Sequence, residues 1–298
     1  MGQTIGVLAT RQVAVGVVED NAVAGPIRIF PEAEGNPDAV RTMTGEEIAE
    51  LIGQQVLLSA REREIDSVGV GFPGVIRNGI VEESPNLQQI KGFAFAQTLS
   101  AVLARGGLKA SVLILNDADA IAAGVAATRG HLEKLIRIWY LGDGVGFGRY
   151  PQADGVWEGG HMVVTLDPKE HYCGCGGEGH LEGIVGYRSM RLRFLDMEPE
   201  EVFAAAREGD ARCATFVKRW HRALAAGSAT SIHLDGPGKF FILGPNSAFV
   251  DLGLIAQYIH EMVKMTPMQG SLFEIISTSH DLAIVGAAVN ARRACGLS

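Results

Sequence analysis

Cysteine is scarce, with four residues in 298. Two stand close together, Cys173 and Cys175, while Cys213 and Cys295 lie alone in helical patterns. That usage excludes a disulfide framework and fits a reducing, cytoplasmic setting. Positive charge is in deficit as well. The 26 Lys and Arg against 34 Asp and Glu leave a formal charge of −8, which disfavours nucleic acid or an anionic membrane as the main partner. No apolar run reaches bilayer-spanning length, and the first residues lack a basic segment followed by an apolar one, so neither insertion nor export is expected. Low-complexity tracts and long linkers are missing too. What remains is 47% apolar and 20% charged, a composition suited to a real core in two medium domains.

The periodicities predict an α/β chain. Thr4–Leu8, Val13–Val18 and Pro26–Phe30 read as strands, followed by a helix over Gly45–Arg63 with Thr44 as N-cap and Glu47 three residues on. Ser67–Phe72 and Ala110–Leu115 read as strands, with helices over Phe93–Ala104 and Ala118–Thr128. The second half repeats the plan. Strands are expected at Ile136–Leu141, Gly146–Tyr150, Val156–Thr165, Lys239–Leu243 and Leu272–Ser277. Helices are expected at Leu181–Phe194, Glu200–Glu208, Asp210–Leu234, Val250–Met265 and Asp281–Ala294. Two such copies imply a duplicated α/β architecture with a cleft between halves and a hinge near residue 118.

The chemistry concentrates between Glu158 and Glu182. His161, Cys173, Cys175 and His180 offer four N/S ligands to a tetrahedral Zn²⁺, and His171 is a further candidate. The glycines between them let a tight loop turn back so that the ligands converge. Four such ligands close a site to water, so the metal is structural, and Glu158 and Glu182 remain to meet a polar ligand. Upstream, Asp117 ends a strand and opens a helix, where α/β proteins expose ligand-facing groups. A carboxylate there serves either as a base toward a hydroxyl or as a plain helix N-cap.

Glu158-Gly-Gly-His161 followed by Cys173-Gly-Cys175-Gly-Gly-Glu-Gly-His180-Leu-Glu182 resembles the signature of the ROK family of sugar kinases and sugar-responsive repressors, with His180 in place of its third cysteine. Asn116-Asp117-Ala118-Asp119-Ala120, Gly71-Phe72-Pro73-Gly74 and Pro85-Asn86-Leu87 match further family segments. The resemblance implies two actin-like (ribonuclease-H-like) domains, residues 1–118 with a returning helix 281–298, and 119–280 carrying the zinc motif. It also implies ATP-dependent phosphoryl transfer to a hexose or N-acetylhexosamine, with Asp117 as catalytic base. Gly74, Asn86, Asn116, Asp117, Glu158, His161 and Glu182 would meet the sugar, and the protein would be a homodimer. Repressors of the family carry a helix-turn-helix ahead of the first strand, whereas this chain opens directly on a strand.

The nucleotide side departs from the pattern. Where the family has D-x-G-G-T-K, this chain has Leu8-Ala9-Thr10-Arg11-Gln12-Val13, without the Mg²⁺-serving Asp or the phosphate-cradling glycines. The second loop, Leu141-Gly142-Asp143-Gly144-Val145-Gly146-Phe147-Gly148, resembles L-G-T-G-I-G-G-G but places a carboxylate where a threonine is expected. Leu243-Gly244-Pro245-Asn246 keeps one glycine of L-G-G-G. Two readings compete. Either Arg11 grips a phosphate and Asp143 holds Mg²⁺ for ATP bound by Thr10, Arg11, Gly142, Asp143, Gly144, Gly146 and Gly244, or the protein is a degenerate relative that binds a sugar-like ligand without transferring phosphate.

Overall fold

The computed structural model describes residues 3–32, 38–61, 63–84, 87–132, 134–152 and 157–296. By its internal contacts the chain forms two compact units.

The first unit comprises residues 1–136, 148–156 and 279–298. Its sheet has the order β3-β2-β1-β5-β8, from β1 (Gln3–Ala9), β2 (Val13–Glu19), β3 (Ala22–Val23), β5 (Ile65–Phe72) and β8 (Ser111–Asn116), with β4 (Arg28–Phe30) also paired to β2. β1 runs antiparallel to β2 and parallel to β5, which is parallel to β8. Strands β1, β2 and β5 are buried nearly throughout, as expected of strands covered on both faces.

α1 (Gly45–Ser59) begins with the expected capping box. Glu47 N–H donates to Thr44 Oγ1 at 3.2 Å, and Thr44 N–H donates to Glu47 Oε2 at 2.7 Å. α2 (Phe95–Arg105) packs on α1. α3 (Asp117–Thr128) and α9 (His280–Ala294) lie against each other along most of their length. Gly124 and Gly286 permit this, because a Cβ at either would run into a backbone carbonyl of the other helix. The contact groups α3 with the first unit, which therefore runs on to Ile136, past the hinge read near residue 118.

A hairpin of β6 (Val75–Arg77) and β7 (Ile80–Glu83) was not anticipated. It turns on Asn78 (φ 51°) and Gly79 (φ 75°), an Asn-Gly pair between apolar residues that is a strong hairpin signal.

The second unit comprises residues 137–147 and 157–278. Its sheet is ordered β10-β9-β11-β12, from β9 (Ile136–Leu141), β10 (Val145–Tyr150), β11 (Lys239–Leu243) and β12 (Leu272–Ile275). α6 (Pro199–Glu208), α7 (Ala211–Asp235) and α8 (Leu252–Met262) pack together, burying Phe203, Phe216, Trp220, Leu224 and Ile255. Asp210 caps α7, its Oδ1 accepting the Cys213 N–H at 2.7 Å.

Two expectations fail here. The strand expected over Val156–Thr165 is, among its described residues, a 3-10 turn at Gly159–His161 followed by one bridge, Val163 to His180. The pair Gly159-Gly160 allows it: a Cβ at Gly159 would strike Phe147 and one at Gly160 the Val145 carbonyl. The single helix expected over Leu181–Phe194 is two, α4 (Glu182–Val185) and α5 (Tyr187–Arg193), broken where Gly186 turns extended (ψ 142°). A Cβ at Gly186 would sit 2.9 Å from both the Asp143 and Glu182 carbonyl oxygens. No helix among the described residues is long and apolar enough to cross a membrane.

Candidate active site

In the second unit the sequence-predicted ligands converge. The ligand atoms of His161, Cys173, Cys175 and His180 all lie within 4.8 Å of one another. Cys173 Sγ is 3.4 Å from both His161 Nδ1 and Cys175 Sγ, and Cys175 Sγ is 3.2 Å from His180 Nδ1. Zinc bonds of about 2.0–2.3 Å set tetrahedral ligand edges of about 3.3–3.8 Å, so the donor set has nearly the spacing a Zn²⁺ requires. His171 stands apart, stacked on Tyr172 with Nδ1 toward the Pro168 carbonyl. Burial, aided by the Glu182 charge, pushes the Cys173 thiol up to about 12 against the opposing pull of the Cys175 backbone N–H. A bound metal would reverse that, since a coordinating thiol is deprotonated outright. Burial first, then His161, moves His180 downward, toward the neutral imidazole that binds metal.

Glu182 links this cluster to the second glycine loop. Its Oε1 accepts the Cys173 S–H at 3.4 Å, and its Oε2 accepts the Val145 N–H at 3.0 Å. A Cβ at Gly144 would collide with Glu182 Oε2, so a side chain there would push the carboxylate aside. Glu158 Oε2 lies 3.9 Å from His161 Nε2. Burial raises its carboxyl most, and Glu182 raises it further, against the lowering effect of His161. Two carboxylates and an imidazole edge therefore gather beside the cluster.

Gly142, Asp143 and Gly144 form the turn between β9 and β10, with Gly146 inside β10. The Gly142 carbonyl accepts the Tyr187 N–H at 3.0 Å and Asn246 Nδ2 at 2.9 Å, and the Asp143 carbonyl accepts the Arg188 N–H at 3.2 Å. Asn246 is 1% exposed, a tie between glycine loops for which the sequence holds no signal. Gly244 (φ +96°) follows β11 and donates its N–H to Thr278 Oγ1 at 3.0 Å. It opens a pocket of about 490 Å³ lined by Tyr140, Gly244, Pro245, Ser247 and residues 275–278. Of these, sequence reasoning found only Gly244.

In the first unit, Asn116 rather than Asp117 is the N-cap of α3. Its Oδ1 accepts the Ala118 N–H at 2.8 Å and the Asp119 N–H at 3.3 Å, while its Nδ2 donates to the Gly74 carbonyl at 2.9 Å. Asn116 thus fixes the loop after β5 to the start of α3. Asp117 is the first helical residue, with Oδ1 accepting the Ala118 N–H at 2.9 Å. Asp119 accepts the Arg149 N–H at 2.9 Å. Gly74 (φ +119°) sits where a Cβ would enter the Glu83 carbonyl, so glycine is required there for backbone reasons. Asn86 lies outside the described residues. Thr10 and Arg11 form the tight β1–β2 turn, where Ala9 faces Val13 and the Thr10 N–H donates to the Gln12 carbonyl at 2.9 Å.

Asn116→Ala should lower stability by about 0.5–2 kcal/mol through the lost cap alone, and more through release of Gly74. Denaturant melts of the two proteins measure it; equal midpoints would contradict the cap.

The ROK family profile matches residues 32–294, and the chain belongs to that family. It is 30% identical over 241 residues to a glucokinase of Pyrobaculum calidifontis, covering 76% of this chain and 78% of the relative. It is 29% identical over 180 residues to an N-acetylmannosamine kinase of Haemophilus influenzae, covering 57% and 59%. Among solved structures, a ROK hexokinase from Thermus thermophilus superposes with TM-score 0.78 at 20% identity, over 99% of this chain and all of the other. A Streptomyces griseus ROK glucokinase in complex with glucose and AMPPNP superposes with TM-score 0.67 at 23% identity, over 98% and 100%.

Proposed function

We propose that this ROK sugar kinase transfers the terminal phosphoryl group of ATP, bound with Mg²⁺, to a hydroxyl of a hexose or N-acetylhexosamine. The observation that carries the reading is the family profile over residues 32–294 together with the 30% identical glucokinase, and Asp117, the first residue of α3, is the general base in it. Asp117 would accept the proton of the attacking hydroxyl as the sugar oxygen bonds to the γ-phosphorus and the bond to the ADP oxygen breaks. Glu158, His161 and Glu182 would accept and donate hydrogen bonds to the sugar, whose hydroxyls are each donor and acceptor. Gly74, Asn86 and Asn116 complete the sugar side.

His161, Cys173, Cys175 and His180 would hold one structural Zn²⁺, which when bound neutralises the two thiolates and pins the loop. Gly142, Asp143, Gly144 and Gly146 would face the phosphates with Thr10 and Arg11, and the pocket that Gly244 opens would take the nucleoside. Its mix of a Tyr ring, an isoleucine pair and hydroxyls suits an uncharged base and ribose. Each half is read as one actin-like domain. Free cysteines fit a cytoplasmic setting, and a homodimer is carried over from the family.

One feature favours the second reading, a sugar binder without transferase activity. The β1–β2 turn has no carboxylate and no glycine, and Asp143 places negative charge in the loop meant for phosphate. A coupled ADP-release assay across hexoses and N-acetylhexosamines with Mg·ATP separates the two. Sugar-dependent ADP supports the kinase; a sugar-induced rise in melting temperature with no ADP from any sugar supports the binder.

A further inference from the structure

Glu170 is 2% exposed, yet it lies in a loop. A buried carboxylate is costly unless charges and hydrogen bonds meet it. Here two guanidinium groups do so. Arg193, at the end of α5, grips both carboxylate oxygens, with Nη1 donating to Oε1 at 3.0 Å and Nη2 to Oε2, while Arg219 from α7 donates Nη1 to Oε1. Arg219 also lies 4.0 Å from Asp167, so two acids and two bases alternate and the group is close to neutral.

The surroundings reach both arms of the loop that carries the His/Cys cluster. Arg193 Nη2 donates to the Gly183 carbonyl at 3.2 Å, one residue past Glu182, and its guanidinium lies over the Tyr172 ring at 4.3 Å, one residue before Cys173. The Glu170 carbonyl accepts the Gly179 N–H at 2.7 Å, one residue before His180. Ser189 Oγ donates to the Tyr172 carbonyl at 3.0 Å. Arg193, held by the buried carboxylate, thus touches the neighbours of Cys173 and Glu182, while the Glu170 backbone itself touches the neighbour of His180.

We infer that Glu170, with Arg193 and Arg219, is a set of positioning residues that holds Cys173, His180 and Glu182 in place before any ion or sugar arrives. Its bearing on sugar affinity rests on the proposed function; its bearing on the loop does not. None of the three touches the reacting atoms in this account. They act through the loop, and the planar two-pronged contact from Arg193 sets orientation as well as charge.

The test is hydrogen exchange on the full chain after chelator treatment, without sugar or nucleotide, comparing wild type with Glu170→Gln and with the milder Arg219→Gln, whose side chain is 48% exposed. Amides of residues 172–183 should exchange at least about tenfold faster in Glu170→Gln, with α3, β5 and β11 unchanged, because local opening is separable from global unfolding. Zinc transfer to a chromogenic chelator should quicken by about 10- to 100-fold, the usual scale for residues supporting metal ligands. Unchanged exchange in 172–183, or equal acceleration throughout the second unit, overturns the inference; the latter would make the group an ordinary buried ion pair. If Glu170→Gln does not fold, the same comparison with Arg219→Gln decides. Absence of kinase turnover in wild type would remove the proposed function and leave these readings intact.

Discussion

Asp117→Asn should leave the fold and sugar affinity in place and reduce kinase turnover by about 10²- to 10⁴-fold, the usual contribution of a positioned general base. The substitution keeps shape and volume. It also keeps an amide oxygen able to accept the Ala118 N–H that Asp117 Oδ1 now accepts at 2.9 Å, and the cap supplied by Asn116 is untouched. A loss of activity in this variant therefore cannot be charged to an uncapped helix. The sugar KM should change little while kcat collapses, since the proton is transferred only as the new bond forms. Undiminished turnover in Asp117→Asn, checked by steady-state kinetics with the sugar that supports ADP release, would discard the residue as the base.

Removing one cluster ligand should have the second large effect. The wild-type protein purified without added zinc should carry close to one equivalent per chain, and Cys175→Ala well under one, by elemental analysis. Structural zinc contributes up to about 10–16 kcal/mol in peptides that are unfolded without it. The loop here has other anchors, through Glu170, Gly179 and Gly183, so the variant should fold with a lowered melting temperature. Sugar affinity should fall as well, because Cys173 touches Glu182 directly and Glu182 in turn holds the Val145 N–H. Wild-type protein free of zinc, with a melting temperature unmoved by chelator, would contradict the metal assignment.

Much of this was legible in the sequence because the relevant signals are local. Thr44 and Glu47 form the capping box that their spacing announces, and the glycine-rich run from Cys173 to His180 does bring its three candidate ligands up to His161. The failures share a cause: the deciding contact is distant in sequence. Nothing near Gly186 says that the Asp143 carbonyl lies against it and breaks a helix. Glu170 reads as one more surface acid until Arg193 and Arg219, 23 and 49 residues on, close over it. Asn116 and Asp117 are adjacent, and only the geometry of the strand end decides which is the N-cap and which the first helical residue. The Asn78-Gly79 hairpin is different, since its signal was local and plain.

The central claim, phosphoryl transfer to a sugar with Asp117 taking the proton, is tested most directly by following the phosphorus itself. ATP labelled in its γ-phosphoryl oxygens is incubated with wild-type protein, Mg²⁺ and a panel of hexoses and N-acetylhexosamines, and the sugars are analysed by mass spectrometry. The account predicts a labelled sugar monophosphate from wild type and only a trace from Asp117→Asn. Label recovered solely in ATP or inorganic phosphate, with every sugar returned unmodified, would contradict it.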